Sequence, residues 1–275
     1  MKRFLALAWP AAVLAAAPAP TAAAGEGPVR VFVLREHGVS SATVAQPYLD
    51  KFVALAAAKN GWRRGGQGVY LASRAAAEEY AQGQDPHYAI LSLPAFLALR
   101  ARYRLEVVGQ VTLSLPGGRR YHLVSRDAAD LAGCRGKTLA SDHLGDPRFV
   151  ERVVARGAFA LADFTVQPTR RPLQTVRAVL DGKAACALVD DAQMADLPAI
   201  PGADGVRAVW SSAELPPMVV AAFPAASAEE RATFQSNLVP LCDEEGKKIC
   251  EEVGIVSLAP ATAADYAAVV DAYGS

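Results

Sequence analysis

The stretch KTLASDHLGDPRFVERVVARG, residues 137–157, decides the fold class of this chain. Its first part, Lys137–Ala140, predicts a short buried strand, and Pro147–Arg156 predicts a helix. Asp146 is suited to cap that helix, proline is suited to its first position, and Gly157 is suited to its end. A strand joined to a capped helix through a polar loop is the repeating unit of an α/β protein.

The same alternation runs along most of the chain. Val29–Leu34 predicts the first strand, and Pro47 predicts the start of the first long helix. About ten strands are predicted, too many for one small sheet, so we expect two α/β lobes with mostly parallel sheets and a ligand cleft between them. The last stretch is predicted to be helical, over 228–238, 244–252 and 263–273.

Composition and charge exclude several classes of protein. The chain has 275 residues, and 52% of them are hydrophobic, which rules out disorder of the whole chain. Lys and Arg number 28, and so do Asp and Glu, so no basic excess is present to bind nucleic acid. We therefore expect no nucleic-acid partner and no polybasic membrane patch.

The N-terminal segment, residues 1–24, has the form of a signal peptide. Lys2 and Arg3 supply the positive charge, Phe4–Ala17 is apolar, and Ala22–Ala24 supplies the small residues of a cleavage site. Proline interrupts the apolar run, which is shorter than the ~20 residues that span a bilayer. We expect cleavage near Ala24 and a soluble periplasmic protein.

Four cysteines fit an exported protein and show no metal-binding spacing. Cys242–Cys250 is the preferred disulfide, provided that the chain folds back between them, because eight residues of straight helix would separate their Cα atoms by roughly 12 Å. Cys134–Cys186 is the weaker expectation. Four buried free thiols are the alternative.

Sequence motifs for catalysis, metals and cofactors are absent. Gly136-Lys137-Thr138 resembles the end of a phosphate-binding loop, but Leu131 stands where that motif requires glycine. The four histidines show no metal-ligand spacing. We therefore predict no catalytic residue, no metal and no cofactor.

Polar side chains cluster where predicted strands end, which is the edge at which α/β proteins bind ligands. They are the candidate ligand-binding residues: Arg35, Glu36, His37, Ser92, Ser141, Asp142, His143, Arg170, Arg171, Asp190 and Asp191. Ordinary solvated loops have the same composition, so a structural role is the alternative for each.

Four segments resemble the phosphate/phosphonate-binding family of periplasmic solute-binding proteins. They are YAILSLPAFL (Tyr88–Leu97), DLAGCRGKTLASDHLGDPRFV (Asp130–Val150), LQTVRAVLDGKAACALVDD (Leu173–Asp191) and VRAVWSSAELPPMVV (Val206–Val220). The resemblance implies a two-lobed type II periplasmic binding protein that closes on a small ligand by a hinge motion and delivers it to a membrane transporter.

The resemblance also implies a division of the chain. Lobe 1 would begin with residues 25–112, lobe 2 would comprise 113–222, and 223–275 would return to lobe 1 as helices. The crossings between lobes are expected near Val107–Leu113 and Pro217–Ala222. A monomer is expected.

One segment departs from the family pattern and leaves the ligand class open. Phosphonate binders carry a Ser/Thr-rich loop at the helix start, whereas this chain has Ser141–Asp146, with two carboxylates that would repel a dianion. Arg170 and Arg171 are expected to compensate if the ligand is an oxyanion. The alternative is a neutral or apolar ligand, such as a lipid or sterol. Two further alternatives are a ligand-sensing module for a membrane sensor and an exported enzyme.

Overall fold

Apolar strands and capped helices alternate in the computed structural model, which describes residues 27–36, 42–114 and 117–275. The first elements are β1 (Val29–Leu34), α1 (Ala42–Asn60), β2 (Gly66–Leu71), α2 (Arg74–Gln84), β3 (Tyr88–Leu91), α3 (Leu93–Tyr103), β4 (Glu106–Leu113) and β5 (Tyr121–Ser125). Next come β6 (Thr138–Ser141), a π-helix (Phe149–Ala155), β7 (Thr165–Pro168), α4 (Pro172–Leu180), β8 (Cys186–Asp190), α5 (Asp191–Asp196) and β9 (Arg207–Ser211). The last are β10 (Met218–Ala222), α6 (Ala228–Leu241), α7 (Glu245–Glu252), β11 (Ile255–Pro260) and α8 (Ala267–Gly274).

The strands form two sheets, each at the centre of one lobe. The six-stranded sheet of lobe 1 has the order β11-β4-β10-β3-β1-β2, and the five-stranded sheet of lobe 2 has the order β7-β6-β8-β5-β9. The two-lobed α/β fold predicted from the sequence is therefore confirmed. The sheets are mixed rather than mostly parallel: among the described strand pairs four are parallel and five antiparallel.

Two linkers join the lobes, one after β4 and one before β10. They pair with each other, because Leu215 N donates to Arg119 O at 2.7 Å and Ser212 N donates to Tyr121 O at 2.8 Å. The expected crossing segments, Val107–Leu113 and Pro217–Ala222, instead coincide almost entirely with β4 and β10 of the lobe 1 sheet. The end of lobe 2 was expected at residue 222, after β10, but β10 belongs to the lobe 1 sheet. The sequence does not distinguish a linker from the strand that follows it.

Helix boundaries follow their capping residues. Ser92 Oγ accepts from Ala95 N at the start of α3, and Ser227 forms a capping box with Glu230 at the start of α6. The π-helix begins after Asp146, whose Oδ1 accepts from Phe149 N at 3.1 Å, and it is followed by Gly157 with φ 83°. The predicted cap at Asp146 and the predicted helix end at Gly157 are therefore confirmed, whereas the caps at Ser92 and Ser227 were not predicted.

Two details of secondary structure differ from expectation. Pro47 lies inside α1 rather than at its start, although the expected apolar face does pack inward, with Leu49, Phe52, Val53 and Ala56 buried. The C-terminal stretch contains a strand, β11, which pairs with β4 at the edge of the sheet. An edge strand tolerates its terminal Pro260 because no neighbour needs that missing donor.

The last helix, α8, touches both lobes. Tyr266, which precedes it, contacts Phe96 of lobe 1 with ring centroids 5.8 Å apart, and its hydroxyl donates to Pro217 O at 3.3 Å. Tyr273 near its end donates to Asp146 of lobe 2 at 3.0 Å. The segment expected to return to lobe 1 therefore also lies against lobe 2.

Both expected disulfides are present, and the described residues contain no free cysteine. Cys242 caps α6 and Cys250 lies in α7, so the break between these helices provides the predicted fold-back and brings the Cα atoms to 5.6 Å. Cys134 and Cys186 join the turn before β6 to the first residue of β8, with both residues fully buried. The disulfide predictions are confirmed.

Within the described part of the chain, no helix combines the length and hydrophobicity that crossing a bilayer requires. The predicted signal peptide, residues 1–24, lies outside the described residues.

The two disulfides should differ in their effect on stability. They span 52 and 8 residues of sequence, for which loop-closure entropy predicts about 4 and about 2.5 kcal/mol of stabilisation. We expect Cys134→Ala/Cys186→Ala to lower the free energy of unfolding in urea more than Cys242→Ala/Cys250→Ala does. A larger loss in Cys242→Ala/Cys250→Ala than in Cys134→Ala/Cys186→Ala would contradict the prediction from loop length.

Candidate functional site: the cleft between the lobes

Strand ends from both sheets meet at one cleft. In lobe 1 the carboxyl ends of β1, β3 and β4 lie at the same edge, together with the start of β10, which runs antiparallel to its neighbours. In lobe 2 the carboxyl ends of β6 and β8 lie beside the start of β5. The cleft is thus lined by the short polar segments that follow strands in both lobes.

A cavity of about 90 Å³ lies in this cleft. Five of the candidate residues line it: Arg35, Glu36, Ser92, His143 and Asp190. Arg119, Tyr121 and the Gly117-Gly118 turn contribute the wall beside the linker. The structure therefore brings together candidates that are up to 155 positions apart in the chain.

The Gly117-Gly118 turn comes close to the lobe 2 wall. A Cβ at Gly117 would lie 3.1 Å from an oxygen of Asp190, and Gly118 has φ +77°, which favours glycine. Burial raises the pKa of Tyr121 well above its usual range, and the nearby carboxylates raise it further, so this phenol stays protonated. The Gly117-Gly118 turn therefore packs closely against Asp190, and the Tyr121 hydroxyl group lies in the same wall.

A buried hydrogen-bond network supports the lobe 2 wall. Asp142 Oδ1 accepts from Thr175 Oγ1 at 2.8 Å and from Gln193 Nε2 at 3.0 Å. Asp190 Oδ1 accepts from Gln193 N at 2.9 Å, which caps α5. Gln193 thus ties two acidic residues from neighbouring strand ends into one rigid unit.

The same network sets the tautomer of His143. Asp190 N donates to Gln193 Oε1 at 3.0 Å, which fixes that atom as an acceptor. His143 Nε2 lies 2.9 Å from the same oxygen and must therefore carry a hydrogen. The imidazole ring also packs perpendicular to the Tyr121 ring, with ring centroids 5.1 Å apart, and this contact helps to hold it in the cavity wall.

The remaining candidates do not line the cavity. Ser141 Oγ donates to Leu188 O at 2.7 Å between strands, and Asp142 is buried behind the wall. Asp191 accepts from Arg119 N at 3.2 Å at the linker. Arg170 and Arg171 are exposed before α4, one strand away from the cavity. His37 lies outside the described residues.

A branched ion pair joins the two lobes. Arg74 donates to both oxygens of Glu36 in lobe 1, at 3.1 and 3.0 Å, and to Asp146 of lobe 2 at 3.1 Å. Burial acts to lower the pKa of the Arg74 guanidinium, but the two carboxylates outweigh it and raise the pKa. Tyr273 donates to the same Asp146 oxygen. These contacts hold the lobes against each other beside the cavity.

Most carboxylates at the cleft already have donors. Glu36 is held by Arg74, Asp146 by Arg74 and Phe149 N, and Asp190 by Gln193 N. Burial raises the pKa of Asp190 above its usual value. The helix starts that Asp146 and Asp190 cap are therefore not free to bind a ligand anion.

Arg35 is the exception among the charged groups of the wall. Arg119 pairs with Glu214 and donates to Leu215 O, whereas Arg35 makes no ion pair with any described residue. Its side chain lines the cavity and is only partly exposed. The cleft thus contains one guanidinium whose charge the described residues leave unbalanced.

Several site residues escaped the sequence analysis. Arg74 follows β2 just as Arg35 follows β1, so the same strand-end rule would have found it. Arg119 precedes β5 and Tyr121 is its first residue, so their place in the cleft depends on β5 running antiparallel to β8. Thr175 and Gln193 are helix residues without any distinctive spacing, and only the structure shows their contacts.

No group of three or more His, Cys, Asp or Glu residues suited to a metal ion occurs within the residues that the structure covers. The buried carboxylates instead have amide and hydroxyl donors.

Comparison with protein families places the chain. Residues 125–266, just over half of the sequence, match the model of the periplasmic substrate-binding proteins of phosphonate ABC transporters. The chain belongs to this phosphonate-binding family. A comparison with curated protein sequences found no match.

Solved structures show the same fold at low sequence identity. XAC2383 from Xanthomonas citri, bound to chloride, has a TM-score of 0.70 at 14% identity over 90% of this chain and 96% of its own. PhnD1 from Prochlorococcus marinus, bound to methylphosphonate, gives 0.65 at 10% identity over 89% and 96%. The phosphonate-transporter binding component PA3383 from Pseudomonas aeruginosa gives 0.64 at 14% identity over 90% and 86%.

The resemblance read from the sequence is therefore confirmed. Proteins of this family are periplasmic and bind substrates for ABC transporters. In this substrate-binding protein the buried network around Asp142 and the ion pair of Arg74 can be tested separately, since they lie in different parts of the cleft.

Removal of the Thr175 hydroxyl should destabilise lobe 2. Thr175→Val keeps the shape of the side chain but leaves Asp142 with one donor fewer in a buried site, which costs about 1–3 kcal/mol. Urea unfolding measures this loss. Thr165→Val, at an exposed position in β7, is the matched control and should leave the free energy of unfolding nearly unchanged. Equal effects of the two variants would contradict the structural role of the network.

Loss of the Arg74 charge should cost more than loss of an exposed arginine. Arg74→Met leaves the Glu36 and Asp146 carboxylates, whose side chains are only 15% and 11% exposed, without their cation. We expect about 2 kcal/mol of destabilisation, below the value for fully buried pairs. Arg102→Met breaks the more exposed pair with Glu78 and should cost about 0–1 kcal/mol. Equal costs of the two variants would show that burial between the lobes does not strengthen the Arg74 ion pair.

Proposed function

We propose that this protein binds a small oxyanion in the cleft between its lobes and delivers it to a membrane transporter. The observation that carries the proposal is the charge of the cleft. Glu36, Asp146 and Asp190 already accept hydrogen bonds from protein groups, whereas Arg35 has no ion-pair partner among the described residues. An anionic ligand supplies the missing charge.

The remaining groups of the cavity suit an oxyanion. Ser92 Oγ and the protonated Tyr121 provide hydroxyl groups, and His143 presents a fixed imidazole. Arginine binds planar and tetrahedral oxyanions through paired N–H groups. This arrangement replaces the Ser/Thr-rich loop of phosphonate binders, since the Ser141–Asp146 loop is engaged in internal hydrogen bonds.

A neutral or purely apolar ligand, such as a sterol, fits the cleft less well. Closure of the lobes over such a ligand would leave Arg35 desolvated without a counter-ion, which is costly. A cation would meet Arg35 directly. The family membership and the methylphosphonate bound to PhnD1 also support an oxyanion here.

The cellular context follows from the family. We propose that residues 1–24 are a signal peptide cleaved near Ala24, that the mature protein acts in the periplasm as a monomer, and that its partner is an ABC transporter. Binding without chemical turnover is the proposed activity.

A panel of oxyanions tests the proposal. We expect phosphate, sulfate, methylphosphonate or methanesulfonate to bind in titration calorimetry and to raise the melting temperature. Arg35→Met should weaken that binding at least about thirtyfold, because it removes the charged partner. Arg171→Met, at an exposed arginine outside the cavity, is the matched control and should change affinity less than twofold.

Two results would overturn the proposal. One is the absence of binding to any anion of the panel by the folded protein. The other is a loss of affinity in Arg171→Met with none in Arg35→Met, which would move the anion site to the start of α4.

A further inference from the structure

A second cavity adjoins the cleft and is larger and more apolar. It has a volume of about 160 Å³ and lies in lobe 1 between the first turns of α1, the sheet and the end of α7. Arg35, Leu113 and Met218 line both cavities. The guanidinium that we assign to the anion therefore stands at the junction between a polar cavity and an apolar one.

Apolar side chains form most of the wall of this second cavity. Leu49, Phe52, Ile90 and Val111 are buried at its base. Val44 and Tyr48, on the first turns of α1, line it while 61% and 41% exposed. A concave apolar wall with partly exposed apolar side chains at its rim is typical of a ligand-binding pocket.

The charged groups near the apolar wall do not oppose an anionic ligand. Glu252 lines the cavity, but its carboxylate is paired with Lys51 at 2.9 Å. The Lys51 ammonium also lies 5.5 Å from the ring centroid of Tyr48. Arg35 thus remains the one cavity-lining group, among the described residues, whose charge has no partner.

We propose that the ligand is an amphiphilic oxyanion, with its charged head at Arg35 and an alkyl or aryl group in the second cavity. This inference rests on the proposed function and names its substrate class. Apolar protein cavities of about 150 Å³ accommodate a benzene molecule. A cavity of about 160 Å³ therefore suits a substituent of about six carbon atoms.

A series of alkylphosphonates of increasing length tests the inference, with methylphosphonate as the shortest and hexylphosphonate as the longest. Each buried methylene should tighten binding about fourfold, so that hexylphosphonate, with five more methylenes, binds on the order of a thousandfold more tightly than methylphosphonate. Phenylphosphonate should also bind more tightly than methylphosphonate. The series uses the unmodified protein, so it does not depend on the folding of a variant.

A variant of α1 locates the alkyl group. Ala45→Leu places a larger side chain in the second cavity and should weaken hexylphosphonate binding at least about tenfold, while methylphosphonate affinity stays within about twofold. Ala58→Leu, at an exposed position of the same helix, is the matched control and should change neither affinity.

The possible outcomes separate this inference from the proposed function. Methylphosphonate binding with an affinity that stays flat or falls along the series overturns the inference and leaves the oxyanion proposal standing. A rise with chain length that Ala45→Leu does not reduce places the alkyl group elsewhere and also overturns it. If no member of the series and no inorganic oxyanion binds, both proposals fail together.

Discussion

The pairing of the two linkers between lobes is the constraint on which the rest of the cleft depends. Leu215 N donates to Arg119 O, the Arg119 side chain donates to Leu215 O, and Ser212 pairs with Tyr121. Because of these bonds, the chain enters and leaves lobe 2 side by side. The strand ends of the two sheets are thereby held opposite each other. Two sheets joined by one linker would have no such fixed orientation, and polar residues at their edges would not share a cavity.

Electrostatic balance explains how a cleft with several carboxylates can still attract an anion. Each carboxylate of the wall is bound by a donor of the protein itself: Arg74 holds Glu36 and Asp146, and the start of α5 holds Asp190. The acidic residues therefore act as positioning groups. If only the charges were counted, these carboxylates would cancel the charge of the arginines. The prediction from the sequence, that the carboxylates would repel a dianion, rested on such a count.

The extent to which the sequence predicted this structure varies with the type of signal. Strand–helix alternation, the cap at Asp146 and both cysteine pairs could be predicted because each depends on local chemistry or on a short geometric condition. The strand-end rule also found Arg35 and Asp190, since carboxyl ends of parallel strands share an edge. These features require no knowledge of which distant elements pack together.

Other features depend on tertiary pairing and escaped prediction. The place of Tyr121 in the cleft follows from the antiparallel direction of β5, and β11 was hidden because an edge strand ending in proline resembles a loop. Arg170 and Arg171 looked equivalent to Arg35 in sequence, yet the strand order puts β7 at the edge of its sheet and leaves them exposed. Strand order cannot be read from local patterns.

The Cys134–Cys186 bond makes the lobe 2 wall sensitive to the redox conditions around the protein. It ties the approach to β6 to the start of β8, the two neighbouring strands whose ends carry Asp142 and Asp190. Cytosolic reductants keep cysteine thiols reduced, whereas the oxidising environment of the periplasm allows disulfides to form. An oxidising compartment therefore allows this cross-link between the two strands to form, whereas a reducing one leaves the strands without it.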